Sequence, residues 1–204
     1  MNTMEQTKTC GKGLLLVLSG PSGVGKGTVI GALKTLCPQL LGREISVSIS
    51  KTTRKPRVGE EEAVHYYFTD RESFLADVEN GAFYEHAEYA GNLYGTPRAP
   101  IEEKINAGGV VVLDIDTQGA IQVRASGADA MLVLLLPPAM EELEKRLRGR
   151  KTEAEEAICK RLTIARKECA LAPQFDETVY NVEVETAARE ICALIEKKLA
   201  EINQ

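Results

Sequence analysis

Residues 20–28 read GPSGVGKGT. Spaced glycines adopt backbone angles that other residues avoid, and so let successive N–H groups converge on one point, a nest for an anion. The apolar run LLLVL precedes this loop at 14–18, and a helix-like stretch follows it. The loop therefore joins a strand to a helix start, where the helix dipole adds partial positive charge and Lys26 adds a full one. That suits the phosphates of a nucleotide, cradled by Gly20, Pro21, Ser22, Gly23, Val24, Gly25, Lys26, Gly27 and Thr28. A merely structural tight turn is the competing reading, and the flanking strand and helix weigh against it. One position departs from the usual phosphate loop: the Ser or Thr expected after the lysine is Gly27. No hydroxyl at 27 can ligate magnesium, which leaves the ion to the nucleotide and water, with Thr28 near the α-phosphate.

A second anion site is written in SISKTTRKPRVGEE, where Arg54 and Arg57 flank Lys55 and Pro56. Paired guanidiniums are fork-shaped donors that match a phosphate. A solvated basic loop is the plain alternative, but tyrosines follow at HYYF and NLYG. Tyr66 and Tyr94 can each place a hydroxyl on the same phosphate while the ring stays packed. In the same region, GAFYEHAEYAGNLYGTPR carries Glu85 and Glu88, either of which can read a base. Guanine presents N–H donors beside an acceptor oxygen, so an ionised glutamate matches the donors and a hydroxyl matches the oxygen. Adenine presents the opposite polarity.

Composition sets the outer limits. The chain has 204 residues, 44% hydrophobic and 27% charged, as expected for an ordinary globular domain. A net charge of −5 speaks against a long nucleic-acid groove, which needs clustered positive charge. A small anionic ligand needs only a few arginines. The apolar runs are far shorter than the roughly 20 residues of a bilayer span, so no membrane association is expected. The polar N-terminus lacks the apolar centre of a secretion signal, and a cytoplasmic location is the expectation. Five cysteines, Cys10, Cys37, Cys159, Cys169 and Cys192, include no C-x-x-C pair, and the only histidines are His65 and His86. Small buried or half-buried hydrophobes in a reducing compartment are expected of these thiols, rather than a disulfide framework or a zinc site.

The elements that must hold these residues alternate strand and helix, which predicts an α/β fold with a parallel sheet flanked by helices. Strands are predicted at 13–19, within GGVVVLDID at 108–116, at AMLVLLLPP and near 177–182. Helices are predicted at 25–36, ending before Pro38, and at 186–202. The section 50–108, with every tyrosine except Tyr180, reads as an insertion of mixed α+β character. The charged stretch 139–171, broken at Gly149, reads as two solvated surface helices. Residues 1–12 read as a loose tail.

The motifs LSGPSGVGKGT, SVSISKTTRKPRVGEEEAVHYYF, FYEHAEYAGNLYGTP, VVLDIDTQGA and KRLRGRKTEAEEAICKRL, in this order, resemble the guanylate kinases, nucleoside monophosphate kinases that act on GMP. The similarity runs from Gly13 to about residue 200. It implies a P-loop core made of 13–49, 109–138 and 172–204, a GMP-binding region over 50–108, and a small helical lid within 139–171. It also implies a reaction, transfer of the γ-phosphoryl of MgATP to GMP. By this similarity Ser50, Arg54, Arg57, Glu60, Tyr66, Glu85, Tyr94 and Thr96 are GMP-binding positions. Glu85 would be the base reader, and Ser50 and Thr96 would direct hydroxyls toward the guanine oxygen. Asp116 matches a position at the acceptor nucleotide, and Asp114 is assigned a part in ordering magnesium. Strand-end acids making turn hydrogen bonds are the plain alternative for both. Lys26, Arg57, Arg150 and Arg161 would be the catalytic cations, the last two from the lid, with Arg146 and Arg148 beside them. No general base is called for, because a phosphate monoester has a second pKa of about 6 and its attacking oxygen is already ionised near neutral pH. Two other readings stand against this one: a kinase for AMP or another monophosphate, and a guanylate-kinase-like interaction module without catalysis. Oligomeric state, monomer or homodimer, is left open.

Overall fold

A computed structural model describes residues 11–149 and 154–204. Along the chain lie β1 (Leu14–Ser19), α1 (Lys26–Leu41), β2 (Ile45–Val47), β3 (Lys51–Thr52), β4 (Tyr67–Phe68), α2 (Arg71–Glu79), β5 (Phe83–Tyr89) and β6 (Asn92–Pro97). They are followed by α3 (Ala99–Asn106), β7 (Val110–Asp114), α4 (Thr117–Ala125), β8 (Ala130–Leu136), α5 (Met140–Gly149), α6 (Glu155–Cys169), β9 (Glu177–Tyr180) and α7 (Val184–Ile202).

The apolar runs form a five-stranded sheet in the order β2-β7-β1-β8-β9, with every pairing parallel. β1 is central and wholly buried, as an unbroken apolar run requires when helices cover both faces of a sheet. Its side chains alternate between two cores. Leu14, Leu16 and Leu18 pack with Val29, Leu33 and Cys37 of α1 and with Ile191, Cys192 and Ile195 of α7. Leu15 and Val17 pack on the other face with Ile101 and Ile105 of α3 and with Ala120 and Val123 of α4.

The predicted insertion contains a second, four-stranded sheet, β4-β3-β6-β5, which mixes parallel and antiparallel pairs. Its own small core is Phe74, Phe83 and Leu93, with the two phenylalanine rings stacked 4.6 Å apart. Ala90 and Gly91 both have positive φ, 49° and 77°, and make the tight turn from β5 to β6. Two such residues match the right-handed twist of a hairpin.

The structure departs from the sequence-based expectations at four places. α1 runs through Pro38 to Leu41, because proline removes a single backbone donor while its carbonyl still accepts the N–H of the capping Gly42. α5 and α6 are not simply solvated. Leu143, Leu147, Ile158, Leu162 and Ala165 form a shared buried seam, recurring at helical spacing among the charges that hid it. Among the thiols, Cys37 and Cys192 are buried, Cys169 is half-buried, and Cys159 is exposed. Cys10 and most of the expected tail lie outside the described residues. Gly11 and Lys12 are held, the first by Arg43 on its carbonyl and the second by Asp129 at 3.2 Å.

Cys37 Sγ and Cys192 Sγ approach to 2.7 Å where α1 meets α7. Hydrogen bonding to Cys192 and burial push the Cys37 thiol up, so it stays protonated and packs as an apolar group. The α1–α7 seam should therefore carry much of the stability. Ile191→Ala, at a fully buried position of α7, should lower the free energy of unfolding by about 2–5 kcal/mol in urea titrations. A loss under about 1 kcal/mol would show that α7 contributes little to this core.

Candidate active site

Parallel strands ending at one edge bring the chemistry together. β1 delivers the glycine loop, β7 ends at Asp114, and β9 ends one residue before Asn181. At the loop, Gly25 has φ 102° and caps α1 in the left-handed region, and Gly23 has φ 90°. Only glycine holds such angles without strain. Val24 N–H donates to Pro21 O at 3.1 Å, closing the turn. Lys26 opens α1, and its Nζ donates to Gly20 O at 2.9 Å, folding the side chain back over the loop. The same Nζ lies 3.9 Å from Asp114 Oδ1. Burial pushes the Asp114 carboxyl up from its ordinary value, and the lysine draws it back.

Asp116 caps α4, its Oδ1 accepting the N–H of Gly119 at 2.8 Å. The plain role foreseen for a strand-end acid is thus present at this residue. Thr28 and Gly27 lie exposed on the first turn of α1.

A second group of residues gathers on β3, β5, β6 and the loop after β3. Arg54 Nη2 donates to Glu60 Oε1 at 2.8 Å, while Glu60 Oε2 accepts the backbone N–H of Arg57 at 2.8 Å. One carboxylate therefore fixes both the guanidinium of Arg54 and the backbone that carries Arg57. These bonds hold the Glu60 carboxyl well below its ordinary value, at about 2, with the Arg54 hydrogen bond the larger cause. The Arg54 guanidinium lies 5.3 Å from the centre of the Tyr66 ring, and Tyr66 meets Tyr94 edge-on at 6.1 Å. The Arg57 side chain is exposed, and Ser50 is half-buried just before β3.

Thr96 is fully buried on β6, and its hydroxyl donates to Glu85 Oε1 of β5 at 2.5 Å. Burial pushes the Glu85 carboxyl up; the Thr96 hydrogen bond opposes this, and the charge of Asp116 adds to it. The backbone N–H of His86 on β5 donates to Gln122 Oε1 of α4 at 3.2 Å, which places the second group beside the edge of the large sheet. Glu88 instead sits exposed, 3.2 Å from Arg71. Arg161 is half-buried on α6, and Arg150 lies outside the described residues.

Two participants, Asn181 and Glu168, were not singled out from sequence, and a third, Arg146, was named only as a neighbour of the lid arginines. Asn181 is buried and donates from Nδ2 to Val24 O at 2.8 Å. Arg146 of α5 reaches Val24 O at 3.2 Å and Asn181 O at 3.0 Å. Glu168, near the end of α6, has its carboxyl pushed up by burial, with Lys26 pulling it down and Asp116 pushing it up. It therefore senses both charges across the site. A polar residue directly after an apolar strand was the available signal for Asn181; nothing marked Glu168 among the charges of α6.

No cluster of three or more carboxylate, imidazole or thiol ligands exists among the described residues. With Gly27 lacking a hydroxyl, the donors at hand are the Asp114 carboxylate beside Lys26 and the Thr28 hydroxyl. Such a sparse oxygen set fits a magnesium ion that arrives on nucleotide phosphates and keeps several waters.

The family model described as guanylate kinase matches residues 12–198. A guanylate kinase of Streptomyces kasugaensis is 51% identical over 187 residues, covering 92% of this chain and 89% of that protein. One from Synechococcus elongatus is 48% identical over 183 residues, covering 90% of this chain and 97% of its own length. Among solved structures, the crystal structure of guanylate kinase from Anaplasma phagocytophilum superposes with a TM-score of 0.65 at 33% identity, covering 93% of this chain and 87% of that one. A phosphate loop, a clamped arginine pair and a half-buried glutamate bonded to a buried threonine, joined to matches that span nearly the whole chain, make it a member of the guanylate kinase family.

Proposed function

We propose that the chain is an ATP-dependent GMP phosphotransferase that converts MgATP and GMP to ADP and GDP, with the residues below in the roles given. The observation that carries this reading is Glu85. Half-buried and hydrogen-bonded by Thr96, it feels Asp116, which lies two residues from the Asp114 that faces Lys26 of the phosphate loop. A base reader thus sits within electrostatic reach of phosphate chemistry.

Residues 20–28 hold the donor phosphates, with Lys26 supplying charge as it moves onto the transferring group. Arg54, Arg57, Glu60, Tyr66 and Tyr94 form the acceptor-phosphate end of the GMP site, where Glu60 holds the Arg54 guanidinium and the Arg57 backbone in place. In the free protein the Thr96 hydroxyl is spent on Glu85. Guanine N–H donors would take over that carboxylate, and the released hydroxyl can then donate to the guanine oxygen, joined by Ser50 and flanked by Asp116. Magnesium, where bound with ATP, supplies charge neutralisation between the phosphates, with Asp114 and Thr28 the residues offering it oxygens. Arg150 and Arg161 complete the cation set from the lid segment. The acceptor oxygen arrives ionised, so the residues only position and neutralise. The segment 50–108 serves as the GMP-binding region and 139–171 as the lid with its flanking helices. The free thiols suit a reducing cytoplasm, and no described helix is long and apolar enough to cross a membrane.

ADP formation from MgATP should be brisk with GMP and near background with AMP, CMP or UMP. Preference for AMP would replace the acceptor assignment, and binding of GMP without transfer would favour the interaction-module reading. Lys26→Ala and Arg57→Ala should each lower turnover by orders of magnitude, roughly 10²-fold or more; unchanged turnover in either would remove its role.

Glu85→Gln should weaken GMP use about a hundredfold, because a carboxamide sets a donor against guanine N–H groups. The pH dependence separates the two carboxylates by sign. The raised Glu85 carboxyl stabilises the fold less when ionised, so this contribution to stability is present at low pH and lost as pH rises through its titration. GMP binding runs the other way, and should fall as pH drops toward values still above the ordinary glutamate range. That limb should vanish in Glu85→Gln, while the limb near pH 6 from the substrate phosphate remains. Glu60 stays ionised to about pH 2, and its contribution to stability, complete above the ordinary glutamate range, is lost only on falling through that value. Glu60→Gln should raise the KM for GMP roughly tenfold, across neutral and mildly acidic pH alike.

A further inference from the structure

Between Phe83, which pairs with Pro97, and His86, which pairs with Gly95, β5 and β6 lose step. Here β5 supplies Tyr84 and Glu85 where β6 supplies Thr96 alone, which makes a β-bulge. Counted in regular register from Phe83, Thr96 would face Tyr84 and Glu85 would face Gly95. The extra residue is therefore what sets the Glu85 carboxylate against the Thr96 hydroxyl, 2.5 Å away.

A bulge takes backbone groups out of the ladder, and other donors and acceptors must satisfy them. The carbonyl of Phe83 accepts from Arg98 Nε at 3.0 Å, and the carbonyl before it, Ala82 O, accepts the N–H of Arg98 at 2.9 Å. On the far side of the bulge the N–H of His86 goes to Gln122 of α4. The Arg98 guanidinium also lies over the ring of Tyr84, 4.4 Å from its centre, a cation–π contact with the bulged residue itself. Tyr84 is buried with Ile101 and Ile105 of α3, and its hydroxyl donates to Glu102 Oε1 at 3.3 Å. Burial and the charge of Glu102 push that hydroxyl up to about 12, so it remains the donor. The carbonyl of Arg98 in turn accepts the N–H groups of Ile101 and Glu102. One residue thus joins the start of β5, the end of β6 and the first turn of α3.

We infer that Arg98 is a positioning residue for base selection: held on Tyr84 and on Phe83 O, it fixes the β5 bulge that brings Glu85 opposite Thr96. This rests on the base-reading role proposed above for Glu85. The bonds of Arg98 go to β5 and α3, so its loss should reach guanine recognition and spare the donor.

The test measures, by calorimetry, dissociation constants for GMP, for MgATP and for inosine monophosphate, whose base lacks the exocyclic amino group of guanine. The proteins compared are the wild type, Arg98→Ala, Arg98→Lys, Glu85→Gln and, as a control, Arg71→Ala, whose side chain is 54% exposed on α2. Thermal melting is followed for each. Arg98→Ala should weaken GMP about tenfold and leave the other two ligands within about twofold, so that the preference for GMP over inosine monophosphate narrows. Arg98→Lys, which keeps charge and a donor but not the planar group, should recover part of the loss, and Arg71→Ala should match the wild type. The inference is overturned if Arg98→Ala keeps the wild-type preference while Glu85→Gln loses it. It is equally overturned if all three ligands weaken together in step with a lowered Tm, the signature of general loosening. A Glu85→Gln protein that keeps the preference would instead defeat the base-reading role itself, and the inference with it.

Discussion

Hydrogen bonding of β1 on both sides, in parallel, is the constraint from which the site follows. Because β7, β1, β8 and β9 run the same way, their carboxyl ends reach one edge, and whatever each strand carries next is delivered there. Leu18 pairs with Asp114, Ser19 with Leu134, and Leu136 with Tyr180, so loop, acid and amide emerge at matched heights. Neither Lys26 nor Asn181 is placed by its own local sequence. Both are placed by the register of buried aliphatic strands, and β1 cannot slip while leucines alternate between two separate cores.

Charge at this edge is arranged in advance of substrate. Glu60 holds Arg54 and the backbone of Arg57 in place, so the ordering entropy of the proposed acceptor clamp is met during folding. Glu85 shows the opposite device, a carboxylate kept in a half-buried setting where ionisation is costly, which in the proposed base-reading role makes each hydrogen bond to it count for more. The lysine of the loop is shared among Gly20 O, Asp114 and the field of Glu168.

What could be read from the sequence divides by range. The phosphate loop, the strands around it and the arginine–tyrosine segment were legible because each is local: a strand, a run of glycines or a charge cluster names its own chemistry. Pro38 misled because its cost falls on one hydrogen bond, and tertiary packing of Leu33 and Cys37 outweighs it. The seam between α5 and α6 was missed since five apolar residues were outnumbered by charges on the opposite faces. Glu60 was visible as a site residue, but its service to the two arginines required the fold of the loop. Asn181 and Arg146 meet Val24 from sequence separations of 157 and 122 residues, and no pattern within a single segment encodes such a meeting.

The contact of α1 with α7, sealed by Cys37 against Cys192, joins residues 155 positions apart. During synthesis the helix that follows the phosphate loop is therefore complete long before its cover exists. Val29, Leu33 and Cys37 stay open to water until residues 184–202 leave the ribosome. The nucleotide loop lies at the head of that uncovered helix, so a nascent chain holds its phosphate-binding sequence on an unfinished core. A chain cut short before the last helix would present a sticky aliphatic stripe to chaperones and proteases.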